Sequence, residues 1–540
     1  MRPLLLVAPS ALLVLAVLQE RALTQEADAA ERVFQLSESC ARCHDASPAA
    51  VALRNHDGSD ASPHGLWRGT MMAQSFFDPY WRAKMAREIE VGGLERAEVE
   101  ALCLRCHAPA AHHHDRLIGA PPRSFSDLRD DEAARDGVSC SVCHRITAEG
   151  LGEPETFNGL PPHDLLARIW GPYPEPFPGP MRVFTGYEVT YGEHTVLSSL
   201  CATCHTLTTE HAGSTFPEQS PYLEWRNSVF SYESGMTAES RSCQACHMPD
   251  QGSMRIAHNP GGRDFPFLDD RPEVRWHRFV GGNAFMLELM ADHADELGIE
   301  APPAALRDTA RATRRQLAQD TATVSILELR REEGALRFAV DVQNRTGHKL
   351  PTGYPGRRAW LEVVVTVAGE RWFTSGVADE RGRLVPEGEA FDLPHRDVIR
   401  SSDELQVYEL VALDAEGTPT SLLTRMASRG KDNRLLPRGW RADGPHVSET
   451  SPVGIEGDAN FEGGRDRVGF DLADLPVGRI EVTARLLYQA VPPHWVDDLR
   501  SSQAPDAREF VRLYEGRSAE PEVLGADKES GTVPPRDRSR

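Results

Sequence analysis

The sequence predicts an α+β protein, in which a cysteine-containing region of short helices and loops precedes an antiparallel β-sandwich-like domain. Residues 40–247 carry five copies of one cysteine and histidine motif, joined by Pro-rich connections and short helical stretches. From about Ala322 to Ala490 the chain has no cysteine, and apolar residues alternate with polar ones in the five runs ATVSILELR, ALRFAVDVQ, AWLEVVVTV, ELQVYELVAL and GRIEVTARLLYQ. Alternation with period two is typical of strands that bury one face, so this part is predicted to be a β domain.

The repeated motif is C-x-x-C-H, and its five copies use all ten cysteines of the chain. The composition alone would produce about 0.007 copies in 540 residues, which excludes chance as the source. The gaps between successive copies are irregular, so the motifs do not belong to a repeat of fixed length. The copies read CARCH at 40–44, CLRCH at 103–107, CSVCH at 140–144, CATCH at 201–205 and CQACH at 243–247.

Three chemistries compete for these cysteines. A disulfide that closes only two intervening residues is usually redox-active, and it leaves the histidine without a role. Structural zinc needs four ligands, normally from two paired motifs, and five motifs cannot all pair. Covalent haem explains every position, because the two thiols bond the two vinyl groups of one porphyrin and the adjacent histidine ligates its iron. The sequence therefore predicts five covalently bound haems c, in a haem-packed multihaem cytochrome c domain over residues 31–300.

The predicted haem-attachment residues are the motif cysteines and the motif histidines. The attaching thiols are those of Cys40, Cys43, Cys103, Cys106, Cys140, Cys143, Cys201, Cys204, Cys243 and Cys246. The proximal iron ligands are His44, His107, His144, His205 and His247.

Each haem iron can take a second axial ligand, and the identity of that ligand sets its potential and reactivity. His194 precedes the fourth motif by a short helical run, and His277 comes just before paired glycines that allow close backbone approach. His348 lies in a turn-rich loop between two predicted strands. These three histidines are predicted distal ligands. The further candidates are His64, Met72, which is the second residue of a Met-Met pair, and one of the three histidines at 112–114, which lie too close to the second motif to reach the far face of its own haem.

The other segments of the chain have their own signals. Residues 1–24 hold one arginine before an apolar run and predict a secretory signal peptide, with an uncleaved anchor as the alternative. Asp78 and Pro79 predict the N-cap and first residue of a helix. Residues 301–321 predict a linking helix, residues 322–500 the β-sandwich-like domain, and the polar residues 515–540 a disordered tail.

The formal net charge is −22, from 59 Lys and Arg against 81 Asp and Glu residues. Such a charge argues against nucleic acid as a partner, because phosphates require basic side chains. It favours redox protein partners with a basic docking face, and association with a membrane redox complex is the further partner expectation. Together with the signal peptide, the motifs indicate a periplasmic or extracellular protein that is soluble after signal cleavage.

The haem region resembles the multihaem c-type cytochrome family typified by the tetrahaem cytochromes that take electrons from hydroxylamine oxidoreductase. The C-terminal part resembles the β domain appended to many such bacterial cytochromes, and the two likenesses together cover most of residues 35–500. The first is carried by the motif series with WRGTMMAQSFFDPYWRA, DGVSCSVCHRI, SSLCATCHTL, FPEQSPYLEWRNSVF, SCQACHMP and HRFVGGNAFM. The second is carried by GHKLPTGYPGRRAWLEV, PHRDVI, KDNRLLPRGW and ARLLYQAVPP.

The resemblance implies distal ligation by His194 and His277, and it favours His348. Relatives often have a histidine after the W-x-x-S/T element, where this chain has Met71 and Met72. The departure implies a His/Met-ligated haem, substitution by His64, or a five-coordinate iron.

Three functions fit this sequence. The first is an exported pentahaem electron-transfer protein whose chain of haems connects redox partners. The second is a multihaem oxidoreductase that acts on a small nitrogen or sulfur compound at one open iron, with Tyr354, Arg357 or Arg358 nearby. The third is a haem-stapled structural or filament-forming subunit. All five motifs end in histidine, whereas nitrite-reducing relatives often carry a C-x-x-C-K haem, so the electron-transfer hypothesis leads.

Overall fold

The structure is a computed structural model that describes residues 32–211, 213–332, 334–384 and 393–532. The predicted signal peptide, residues 1–24, lies outside the described residues. Within the ranges that are described, no helix combines the length and the apolar character needed to cross a bilayer.

The N-terminal region, residues 32–300, consists of short helices and loops with two small two-stranded sheets. Its helices are α1 (Ser37–His44), α2 (Pro63–Trp67), α3 (Pro79–Val91), α4 (Arg96–His107), α5 (Pro109–Ile118), α6 (Phe125–Leu128), α7 (Glu132–Arg135), α8 (Cys140–His144), α9 (Gly179–Thr185), α10 (Ser198–His205), α11 (Pro221–Arg226), α12 (Cys243–His247), α13 (Ala284–Asp292) and α14 (Ala294–Leu297). Its strands are β1 (Arg168–Gly171), β2 (Glu188–Tyr191), β3 (Leu207–His211) and β4 (Ser214–Gln219), and 3₁₀ turns cover Pro154–Thr156 and Glu193–Val196.

The C-terminal region begins with a long helix and continues mainly as strands. Its helices are α15 (Pro303–Asp320), α16 (Val447–Thr450), α17 (Pro493–Arg500) and α18 (Pro505–Glu515), with a 3₁₀ turn at Leu423–Arg425. Its strands are β5 (Ala322–Glu332), β6 (Ala335–Asn344), β7 (Arg358–Val367), β8 (Glu370–Ser375), β9 (Val398–Ile399), β10 (Val407–Leu413), β11 (Ser428–Asp432), β12 (Arg465–Leu472), β13 (Arg479–Gln489) and β14 (Glu522–Thr532).

The helix start predicted at Asp78 and Pro79 is confirmed. The Asp78 carboxylate accepts hydrogen bonds from the backbone N–H groups of Tyr80 and Trp81, two of the donors that have no partner within the helix. Pro79 takes the first helical position, where its missing N–H costs nothing. The linking helix predicted at 301–321 is α15, which spans Pro303–Asp320.

Two sheets form the β domain, and the α+β class is confirmed. One sheet has the strand order β11-β10-β7-β13-β14, with β8 also paired to β7, and the other has the order β5-β6-β12-β9. The pairs within these sheets are antiparallel except β12 with β9, which is parallel. The stacked rings of Phe338 and Phe470, 4.6 Å apart at their centroids, show how cross-strand pairs fill the interior.

The main hydrophobic core lies within the β domain and extends onto helices from both regions. Leu287 of α13, Leu306 of α15 and Phe510 of α18 belong to the same buried cluster as Val340 and Val363 of the sheets. The C-terminal helices also reach back to α3, where an Arg87 Nη2 lies 2.9 Å from the Asp498 carboxylate. The β domain is therefore packed against the motif-bearing region instead of being tethered to it.

The disordered tail predicted for residues 515–540 is wrong for Glu522–Thr532, which form the strand β14. This strand pairs antiparallel with β13 along its length, and Asp527 accepts a 2.7 Å hydrogen bond from the Ile326 N–H of the other sheet. The segment has few apolar residues, so its order comes from pairing with a distant strand, which composition does not report. Residues 533–540 of the predicted tail lie outside the described residues.

We expect the substitution Leu524→Ala to destabilise the β domain by about 2–5 kcal/mol, the usual cost of removing a fully buried leucine side chain. Leu524 is 0 % exposed, whereas its neighbour Val523 is 39 % exposed. The matched control Val523→Ala should change the free energy of unfolding by no more than about 0.5 kcal/mol. Chemical denaturation followed by circular dichroism measures both values, and equal effects would contradict the placement of β14.

Candidate haem sites

Each C-x-x-C-H motif lies at the end of a helix. The five helices α1, α4, α8, α10 and α12 all end at the motif histidine. Residues three and four positions apart share one helix face, so the thiols and the imidazole of a motif lie on the same side. None of the ten cysteines forms a disulfide. Each motif therefore presents two thiols and one imidazole together, as covalent haem attachment requires.

Four of the five motif histidines use Nδ1 in a hydrogen bond to a backbone carbonyl oxygen. A carbonyl oxygen can only accept, so Nδ1 carries the proton and Nε2 keeps its lone pair for a metal. Such a bond also holds the ring orientation. The partners are Ile256 for His44 at 2.8 Å, Ser75 for His107 at 3.0 Å, Trp170 for His144 at 2.7 Å and Val280 for His247 at 2.5 Å.

Two motif histidines face a second histidine at a distance that suits an iron between them. The ring centroids of His144 and His277 are 6.2 Å apart, and those of His247 and His348 are also 6.2 Å apart, with 19° between the ring planes in both pairs. A metal–imidazole bond is about 2 Å long and a ring nitrogen lies roughly 1 Å from the ring centroid, so two axial imidazoles have centroids about 6 Å apart. Direct stacking is closer, as Trp81 and His107 show at 4.3 Å.

The distal members of these pairs have the same protonation pattern as the proximal members. Nδ1 of His277 lies 3.0 Å from the Arg275 carbonyl oxygen, and Nδ1 of His348 lies 2.9 Å from that of Lys349. Burial, with a contribution from the paired imidazole, lowers the pKa of His277 and of His348 to about 4. Both rings are therefore neutral at physiological pH, the form that binds a metal.

The other predicted distal ligands lie near the motifs without such a pairing. Nε2 of the buried His194 donates to the Ile146 carbonyl oxygen at 2.9 Å. The free lone pair of this imidazole is therefore on Nδ1. Nδ1 of His64 lies 3.4 Å from the Asp45 carboxylate, one residue after the first motif. Burial lowers the pKa of His64, but Asp45 outweighs burial and the net pKa is raised. Met72 is half-buried, and its carbonyl oxygen accepts from the Val138 N–H. Iron ligation by these three residues stays a prediction.

His113, one of the three candidate histidines at 112–114, is buried. The residue is 0 % exposed, and neither ring nitrogen has a hydrogen-bond partner of good geometry in the described residues. Burial lowers its pKa well below the ordinary value, so the ring is neutral. The signal in the sequence is the run of three histidines at 112–114, which does not tell which of the three points inward.

Neighbouring thiols connect the five motifs into one array. The Cys140 thiol raises the pKa of Cys40, the Cys204 thiol raises that of Cys106, and the Cys243 thiol raises that of Cys201. The first motif therefore lies beside the third, the second beside the fourth, and the fourth beside the fifth. Burial, with a smaller contribution from the Cys204 thiol, raises the pKa of Cys143 to about 12, so the third motif also neighbours the fourth. Every motif therefore has at least one other motif beside it.

One half-buried carboxyl group, that of Asp136, and one buried carboxyl group, that of Glu218, also lie beside the motifs. Asp136 accepts hydrogen bonds from the Ser37 N–H and hydroxyl at 2.9 and 3.0 Å, and burial raises its pKa to about 7. Burial raises the pKa of Glu218 to about 8. Glu218 therefore stays mostly protonated at neutral pH and Asp136 is about half protonated there, which limits the negative charge around the thiols despite the acidic composition of the chain.

Comparison with known proteins supports the fold. The structure is similar to the crystal structure of a penta-heme cytochrome c552 from Thermochromatium tepidum, with a TM-score of 0.53 and 17% sequence identity. The similarity covers 92% of this chain and 99% of that chain, and it shows that the two proteins share a fold. No family model and no curated protein matches the sequence. The resemblance to cytochromes that partner hydroxylamine oxidoreductase stays a prediction.

We expect the substitution His277→Ala to convert one low-spin haem of the loaded protein into a high-spin haem, because the iron facing His144 would lose its second imidazole. The matched control is His293→Ala. That ring is 34 % exposed, with Nδ1 3.2 Å from the Glu296 carboxylate. The control should leave the electron paramagnetic resonance (EPR) spectrum of the oxidised protein unchanged. An unchanged spectrum for His277→Ala would contradict the pairing.

Proposed function

We propose that the chain is an exported pentahaem c-type cytochrome that carries electrons between redox partners through covalently bound haems. The observation that carries the proposal is the proximity of all five motifs in one array, together with the two imidazole pairs at 6.2 Å. When bound, the haems supply the one-electron chemistry. The polypeptide sets their spacing, supplies their axial ligands and excludes water from them.

The neighbouring thiols support an order for the conduit. The first motif lies beside the third, the third beside the fourth, and the fourth beside both the second and the fifth. Electrons that enter at the first motif would pass through the third and fourth to the fifth, with the second as a side branch from the fourth. The paired imidazoles lie at the third and fifth motifs, and two imidazole ligands favour electron transfer over substrate binding.

Partner and location complete the proposal. The net charge of −22 favours a redox protein with a basic docking face, because electrostatic steering speeds the encounter of opposite charges. The motifs and the predicted signal peptide favour the periplasm or the cell exterior, where c-type haem is attached. The same charge would also favour a membrane redox complex as the partner, if that complex presents a basic face.

A second candidate function is oxidation or reduction of a small nitrogen or sulfur compound at an open haem. It is favoured by His44, His107 and His205, which have no second imidazole near 6 Å in the described part of the chain. Two of the proposed helper residues are already engaged elsewhere. Arg358 donates to the Gln489 side chain at 3.0 Å inside the β domain, and the Tyr354 hydroxyl lies 3.3 Å from that of Tyr80.

The haem count has a direct test in the double substitution Cys140→Ala with Cys143→Ala. We expect the variant to carry four haems instead of five, because both thioether bonds of the third motif are lost. Intact mass spectrometry of the denatured protein measures the number of covalently attached haems. The control Ser141→Ala changes a residue between the two cysteines and should retain five. A five-haem mass for the double variant would contradict covalent attachment at this motif.

The two candidate functions separate in spectra of the oxidised protein with and without nitrite, hydroxylamine or cyanide. An electron carrier with six-coordinate irons should give only low-spin EPR signals that these ligands do not move. A high-spin signal that shifts when a ligand is added would instead show an open haem and favour the oxidoreductase. A methionine ligand such as Met72 should add the weak absorption band of Met-ligated iron at about 695 nm.

A further inference from the structure

The loop that carries His348 connects two strands of the β domain and reaches into the motif-bearing region. It follows β6, which ends at Asn344, and it precedes β7, which begins at Arg358. His348 is thus the partner of a motif histidine on α12, although it belongs to the β domain in sequence. The pairing at 6.2 Å requires that the two regions be held together near this loop.

Glu224 of α11, in the motif-bearing region, binds this loop on the C-terminal side of His348. Its Oε2 accepts a 3.0 Å hydrogen bond from the Lys349 N–H and a 2.5 Å hydrogen bond from the Thr352 hydroxyl. Its Oε1 lies 3.4 Å from Nη1 of Arg434 in the β domain. The Glu224 residue is 0 % exposed, so these contacts replace water around a buried carboxylate.

A set of buried charges surrounds the Glu224 carboxylate. The Lys349 ammonium lies 2.6 Å from the Asp432 carboxylate, whose other oxygen is 2.7 Å from Nε of Arg434. Burial alone would raise the pKa of Asp432. The Arg434 guanidinium and the Lys349 ammonium outweigh burial and hold that pKa far below its usual range. Each buried charge therefore has a partner of opposite sign. Removal of Glu224 would leave the Arg434 guanidinium with Asp432 but without its second carboxylate partner.

The other side of His348 is fixed by packing. A Cβ on Gly347 would lie 3.1 Å from Cδ1 of Trp225, the residue that follows Glu224 on α11. The His348 carbonyl oxygen accepts from the Asn344 side-chain amide at 2.8 Å. The backbone is thus held by α11 on both sides of the imidazole, through the Trp225 ring before it and the Glu224 carboxylate after it.

We propose that Glu224 is a positioning residue that clamps the β-domain loop onto the motif-bearing region and so keeps His348 opposite His247. The inference rests on the proposed haem at the fifth motif and deepens it. Glu224 does not itself reach the imidazole. It acts through the Lys349 N–H and the Thr352 hydroxyl, and through them the β domain supplies the axial ligand of the last haem of the proposed conduit.

The test uses the haem-loaded full-length protein and four variants, with Thr352→Ser as a fifth, conservative variant. His348→Ala is the reference for loss of the distal ligand, Glu224→Ala removes the clamp, and Thr352→Val removes one of its hydrogen bonds with little change in volume. Glu409→Gln is the matched control. It alters another buried carboxylate, 2.9 Å from the Lys431 ammonium, and Lys431 points to the opposite face of β11 from Asp432. The readouts are the number of high-spin haems by EPR and carbon monoxide binding to the reduced protein.

We expect His348→Ala to produce one high-spin, carbon monoxide-binding haem in five. Glu224→Ala should reproduce that change, Thr352→Val should produce it in part, and Glu409→Gln should remain fully low-spin. If His348→Ala produces the change and neither clamp variant does, the clamp is wrong and the proposed ligation stands. If His348→Ala leaves all haems low-spin, the proposed ligation at the fifth motif is wrong as well. If Glu224→Ala fails to load haem, Thr352→Val, with Thr352→Ser as the conservative rescue, decides between the same two results.

Discussion

The hydrogen bond from an imidazole Nδ1 to a backbone carbonyl oxygen is the interaction on which the rest of the structure depends. It recurs at four motif histidines, where the accepting oxygens lie 26 to 212 positions away in the chain, and at His277 and His348, where the acceptors lie two positions and one position away. His44, for example, donates to Ile256, more than two hundred positions later. Each such bond fixes the tautomer and the ring direction, and at the four motif histidines it also ties a helix to a remote part of the chain. The motif helices have only five to twelve residues, and helices of that length could not hold a ligand geometry alone.

The N-terminal region has little hydrophobic core of its own beside the motifs. Its buried clusters are small, whereas the main cluster belongs to the β domain and the helices packed on it. This distribution agrees with a region whose interior is completed by porphyrins, since short helices between irregular loops bury too little apolar surface to be stable alone. The β domain then serves as the rigid body against which α3, α11 and α13 are placed.

Beside α11, the contact between the two regions is both polar and buried. Glu224, Asp432, Arg434 and Lys349 are all nearly inaccessible to water. Buried ion pairs add little net stability compared with apolar packing, but they are intolerant of misplacement, because a small shift leaves a charge without its partner. Such a set specifies one relative position of the two regions. A fixed relative position is what the proposed ligation requires, because His348 of the β domain must face His247 of the motif-bearing region.

Local patterns in the sequence predicted the elements whose signal is short-range. The alternating runs at β5, β6, β7, β10 and β13, the capped start of α3 and the linking helix α15 all follow from spacing and end residues. The strands β8, β9, β11, β12 and β14 were not predicted. Several of these are short or polar, and β14 is ordered by hydrogen bonds to β13 and by Asp527 at the other sheet, partners that no local window contains.

For the candidate site, the sequence by itself determined the five motifs, and with them the thiols and the proximal histidines, because covalent attachment requires these residues at i, i+3 and i+4 of one helix. Only the tertiary structure decided which of the other histidines face them. His277 and His348 stand opposite motif histidines at 6.2 Å, whereas Nε2 of His194 is taken by the Ile146 carbonyl oxygen. A distal ligand comes from whatever loop the fold brings across the haem plane, so its identity depends on long-range packing and leaves no fixed spacing in the chain.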